Sequence, residues 1–79
     1  MAVFMLQLAE GVDDVVEAQA AGRTKSGEIV LESADERGNP VRIRTYRPDA
    51  VTAVFRRGPG DSGSYGWIPQ PVSGTWWCY

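Results

Sequence analysis

Histidine is absent from the 79 residues, which removes the commonest general base, the usual metal ligand and the side chain that switches charge near neutral pH. Cysteine occurs once, at Cys78, so neither a disulfide framework nor a thiolate metal site is expected. No cationic residue stands near Cys78 to activate it, and it reads as a small apolar filler. Long apolar runs are also missing. The one candidate, AVFMLQLA at 2–9, has no basic residue before it and meets Glu10, Asp13 and Asp14 at once. Neither a signal peptide nor a membrane span is expected from it, and the chain reads as soluble and cytoplasmic.

These absences weigh against catalysis. Asp13-Asp14 and Asp35-Glu36 are adjacent carboxylates, but neighbours on a strand point to opposite faces and neighbours in a turn face water. No histidine exists to activate Ser62, Ser64 or Ser73. The glycine-rich GPGDSGSYG at 58–66 lacks the lysine and the following helix of a phosphate-binding loop. The chain is therefore expected to be no enzyme and to carry no cofactor or metal.

What the sequence does contain is β-strand patterning. GEIVLES, PVRIRTY and AVTAVFRR, within 27–57, alternate apolar and polar residues with a period of two. That period predicts Ile29, Leu31 and Ser33 on one face, with Val41, Ile43 and Thr45, and then Val51, Ala53 and Phe55, inward on the next two strands. Six of these, Ile29, Leu31, Val41, Ile43, Val51 and Phe55, form the predicted core. Arg42, Arg44 and Tyr46 are predicted outward. ADERGNP at 34–40 is turn-rich and predicts an antiparallel hairpin, while Arg47-Pro48-Asp49 predicts a tight turn into a meander.

Before this stretch, residues 3–8 carry a polar residue only at Gln7, so a strand here is expected to be buried on both faces or to lie under something else. Residues 12–20 fit a strand, with Val12, Asp14, Val16 and Ala18 on one face, or a helix with the stripe Val12, Val15, Val16 and Gln19. The turn at Glu10-Gly11 favours a strand hairpinned to the first. AGRTKSG at 21–27 reads as a loop.

Charge is unevenly distributed. Residues 1–36 hold eight acidic and two basic residues (−6), residues 37–57 hold six arginines against Asp49 (+5), and Asp61 completes the total of −2. A basic sheet face built from Arg42, Arg44, Tyr46, Arg47 and Arg56 is one candidate surface, on which single-stranded nucleic acid could stack. The simpler expectation is that Glu28 and Glu32 neutralise Arg42 and Arg44 across the hairpin.

Past Arg57 the composition changes. Residues 58–66 read as a flexible glycine-rich linker, and WIPQPVSGTWWCY at 67–79 holds all three tryptophans. Trp67, Trp76, Trp77 and Tyr79 are the candidate protein-contact residues, since Trp and Tyr are enriched at interface hot spots. An extended 75–79 would put Trp76 and Cys78 on one face and Trp77 on the other.

The LAEG turn, the IVLES strand and the closing YRPDAVTAVFRR, spanning 3–57, resemble small uncharacterised β-meander proteins of high-G+C actinobacteria and their phages. That resemblance implies architecture only; separately, the expected location is the cytoplasm, or the virion for a phage-encoded chain. Together these readings predict an all-β chain: a five-stranded antiparallel meander over 1–57, curled toward a small SH3-like half-barrel, with an aromatic C-terminal arm. Function is expected through contacts with a protein partner or with further copies of the chain via that arm, as a structural component or a regulator. Nucleic-acid binding is the alternative, and no membrane is implicated.

Overall fold

The computed structural model describes residues 2–59 and 64–79. Eight strands and no helix occur among them: β1 (Ala2–Leu8), β2 (Asp13–Ala18), β3 (Ala20–Arg23), β4 (Ile29–Ala34), β5 (Pro40–Tyr46), β6 (Val51–Pro59), β7 (Tyr65–Pro69) and β8 (Trp76–Cys78). They form two four-stranded antiparallel sheets, sheet 1 in the order β2-β1-β6-β7 and sheet 2 in the order β5-β4-β3-β8, with no closed barrel.

The all-β expectation holds, and the ambiguous 12–20 segment is a strand. Its hairpin with β1 pairs Met5 with Val15 and Phe4 with Val16. The turn closes with Leu8 N–H on the Val12 carbonyl at 2.9 Å and Gly11 N–H on the Leu8 carbonyl at 3.0 Å. Gly11 takes φ +92°, a conformation that costs only glycine nothing. A single residue, Gln19, separates β2 from β3 and bends the chain from sheet 1 into sheet 2, with its N–H on the Glu32 carbonyl at 2.9 Å. The β4–β5 hairpin is as predicted. Asp35 closes its turn by accepting the Asn39 and Arg37 main-chain N–H groups, both at 2.9 Å, and these bonds, that of Asn39 foremost, hold its carboxyl below the usual range.

The meander breaks at the next turn. Arg47–Ala50 closes tightly, with Ala50 N–H on the Arg47 carbonyl, but β6 leaves sheet 2 and pairs with β1 and β7 in sheet 1. The predicted count of five strands is also short of the observed one. AAGR lacks alternation because both of its faces are occupied, and it forms β3, paired with β4 on one side and β8 on the other.

Phe4, Leu6, Ala18, Ala21, Ile29, Leu31 and Val54 make the buried core between the sheets, with Val16, Tyr46, Val51, Trp76 and Cys78 packed against them. Phe4, Leu6 and Leu31 are fully buried, each contributing about 1.5–3 kcal/mol relative to an exposed position. Two bulges correct the predicted faces. In β6, Gln7 pairs with Ala53 and Leu8 with Val51, so Thr52 is the extra residue, and its hydroxyl donates to the Gln7 carbonyl at 3.1 Å. One inserted residue reverses the phase: Val51 stays inward, Val54 replaces Ala53 and Phe55 as the core residue, and Phe55 moves to the outer face. In β5, Leu31 pairs with Arg44 and Glu32 with Arg42, leaving Ile43 as the bulge. Tyr46, predicted outward, therefore packs on the core. Val41 and Ile43, predicted in the core, are 42% and 43% exposed on an edge strand.

Candidate protein-contact surface

The inner face of β1 presents Phe4 and Leu6, so Val3, Met5 and Gln7 project from the outer face of sheet 1. Cross-strand pairing extends this into a row. Val15 lies opposite Met5, Met5 opposite Phe55, and Phe55 opposite Pro69, so four apolar side chains cross all four strands. Val15 is 61% exposed, while Met5 and Phe55 are half-buried. Pro69, at the other end of the row, is exposed. The neighbouring row holds Glu17 opposite Val3 and, across the sheet, Arg57 opposite Trp67. The Arg57 guanidinium lies 5.4 Å from the Tyr65 ring centroid, a cation–π contact, and Trp67 is 39% exposed. Arg, Tyr and Trp thus flank a partly exposed apolar band.

The residues of 67–79 divide between the sheets. Trp76 and Cys78 face the core and Trp77 faces out, as the period of two predicts. Trp76 Nε1 donates to the Pro71 carbonyl at 3.0 Å, and Arg23 Nη1 donates to the Gly74 carbonyl at 2.7 Å, fastening the 70–75 connection to the body. Trp77, 43% exposed, lies over Gly22, where a Cβ would come within 2.6 Å of the indole. Val30, next in that outer row, is fully buried. Tyr79 is exposed, and its main-chain oxygen accepts from Arg56 Nε at 3.1 Å. Trp67 and Trp77 therefore stand on different sheets and do not form one patch. Gly58 and Pro59, read as linker, end β6, and Tyr65 and Gly66 begin β7; residues 60–63 of that stretch lie outside the described residues.

The basic candidates are dispersed in the same way. Arg42 and Arg44 project from the edge strand β5, on opposite sides of the Ile43 bulge. Tyr46 donates to Asp14 Oδ2 at 2.8 Å, and burial, followed by the Asp14 carboxylate, pushes its hydroxyl up to about 12. Arg47 pairs with Asp49 at 3.6 Å with both side chains in solvent, a geometry worth little. Arg56 belongs to sheet 1. Glu32 is the register partner of Arg42 as predicted, but no ion pair joins them, since among the described residues the Arg47–Asp49 contact is the one ion pair. Glu28 instead accepts from the Ser26 hydroxyl at 3.1 Å.

Among the described residues, two concavities bear on ligand binding. A cavity of about 70 Å³ between Ile29, Val54, Pro71 and Val72 falls well below the roughly 300 Å³ of a small-molecule site. An open depression of about 470 Å³ lies between the β1–β2 and β5–β6 turns, with Leu8, Tyr46 and Ala50 in its wall. No cluster of three or more His, Cys, Asp or Glu side chains suited to a metal occurs among the described residues, and no described helix is long and apolar enough to cross a membrane.

Sequence reasoning missed Met5, Val15, Phe55, Tyr65 and Pro69 as a surface. The available signal was the doubly apolar 3–8 strand, whose second face demanded a cover. No protein-family model, curated protein or solved structure matches this chain.

Proposed function

We propose that this chain acts through protein contacts rather than catalysis, and that the outer face of sheet 1 is its contact surface. The observation that carries this reading is the row Val15–Met5–Phe55–Pro69, a band of apolar side chains spanning a whole sheet, exposed at Val15 and Pro69 and half-buried at Met5 and Phe55. Contiguous exposed apolar surface of this kind marks interaction sites in proteins that remain soluble, and the flanking Trp67, Tyr65 and Arg57 are the residue types that dominate interface energetics. The role is that of a structural component of an assembly, such as a phage particle, or of a regulator that occupies a host protein. Treating β2 and β3 as one strand bent at Gln19, with β6 returning to β1, gives an order similar to an SH3-like half-barrel, and this is the architecture we assign.

The test is cross-linking in the native cell with wild type, Met5→Lys and Ile43→Lys. Met5→Lys places a charge at the centre of the band without touching the core. It should abolish the cross-linked species while leaving the melting temperature within a few degrees, whereas Ile43→Lys, on the far sheet, should leave the species intact. Equal cross-linking in all three chains would refute the assignment. Nucleic-acid binding remains the second reading because Arg42 and Arg44 are exposed and outside the one described ion pair.

A further inference from the structure

The charges that border the apolar band are sorted by edge. On the outer face of β2, Asp13 and Glu17 flank Val15, and both are exposed. Toward the opposite edge, Arg57 leans over β7 onto the Tyr65 ring, and Trp67 lies beside it. One edge of the face is therefore acidic and the other basic and aromatic, with apolar side chains between.

Resting on the contact-surface reading above, we propose that the partner is a second copy of this chain, stacked face to face on sheet 1 about a two-fold axis parallel to the strands. Such an axis carries β2 of one copy over β7 of the other while keeping each cross-strand row in register with itself. Met5 then faces Phe55 of the second copy, a thioether against a ring edge, and Val15 faces Pro69. Glu17 comes over Trp67 and the Arg57 guanidinium, and the symmetry repeats that contact, so each pair forms twice. An in-plane axis perpendicular to the strands would instead set β2 upon β2 and bring Glu17 against Asp13. Charge thus selects one geometry over the other. Sheets stacked in this way sit about 10 Å apart, close to aligned. A stable dimer buries about 800 Å² per partner, about a sixth of the 5186 Å² that the chain exposes.

Sedimentation equilibrium of the full chain at physiological salt tests this. Wild type should be a dimer and Met5→Lys a monomer. Because each contact occurs twice, Glu17→Arg and Arg57→Glu should each raise the dimer dissociation constant about tenfold. The double variant should return it to within about twofold of wild type. Losses that simply add in the double variant, or a wild type that stays monomeric at high concentration, would overturn the inference. An apolar fluorescent dye distinguishes that failure from failure of the underlying reading. A monomer that binds dye through Met5, with the signal lost in Met5→Lys, leaves the face as a contact surface for a different protein. A monomer that binds none removes both.

Discussion

The Tyr46 hydroxyl donates a 2.8 Å hydrogen bond to Asp14 Oδ2, joining β5, an edge of sheet 2, to β2, an edge of sheet 1. It spans the open side of the sandwich, where no main-chain ladder connects the sheets. Tyr46→Phe should lower stability by about 1 kcal/mol at neutral pH, since the acceptor is charged but partly solvated. Burial, then Asp14, raise the folded-state value of Tyr46 from 10 to about 12. This contribution is therefore complete below pH 10 and is lost as pH rises toward 12. Urea midpoints of wild type and Tyr46→Phe should converge over that window; a constant difference would mean that the hydroxyl contributes only by packing.

Gly22 and Trp77 make a second testable contact. Gly→Ala in a strand ordinarily stabilises by about 0.5–1 kcal/mol. Here the added methyl would meet the indole at 2.6 Å, so Gly22→Ala should cost about 1–3 kcal/mol. The displaced indole should also shift tryptophan emission to longer wavelength. A gain in melting temperature would show that Trp77 does not rest on β3.

The two bulges set the core. Leu6→Ala should cost about 2–5 kcal/mol, a large share of the stability of so small a domain. Ile43→Ala, at the bulge of an edge strand, should stay within about 0.5 kcal/mol. Thermal unfolding of this pair decides the register: a large loss at Ile43 would restore the unbulged alternation.

Strand locations in the first two-thirds of the chain were legible because turn chemistry brackets them: Gly11, ADERGNP and Arg47-Pro48 each fall where the chain reverses. Faces were less legible. Thr52 and Ile43 have ordinary strand propensity, and nothing in a single sequence marks either as the inserted residue that reverses the phase of its neighbours. Small residues hid β3, since Ala21 and Gly22 are selected by what β8 lays against them, a contact from more than 50 positions away. The aromatic residues of the C-terminal third were visible as sticky, and alternation correctly separated Trp76 from Trp77. Their docking onto two different sheets depends on long-range pairing that local pattern does not encode. The contact surface was half-visible, in the doubly apolar β1, but its width required the cross-strand register.

Arginine placement discriminates the nucleic-acid alternative. Arg42→Gln with Arg44→Gln removes exposed charge from β5 and should leave stability nearly unchanged and binding to single-stranded oligonucleotides negligible in both proteins. Fluorescence anisotropy across a salt series checks this. Wild-type binding that weakens steeply with salt and disappears in the double variant would promote the basic reading.

Hydroxyl-radical footprinting reads the outer face of sheet 1 directly, because Met5, Phe55, Tyr65 and Trp67 are all reactive side chains. Mass-spectrometric oxidation rates would be compared between the dilute purified chain and the chain in its native cell. A contact surface on sheet 1 predicts that Met5 and Trp67 are oxidised in dilute solution and strongly protected in the cell, while Trp77 on sheet 2 reacts alike in both. Equal oxidation of Met5 under the two conditions would contradict it.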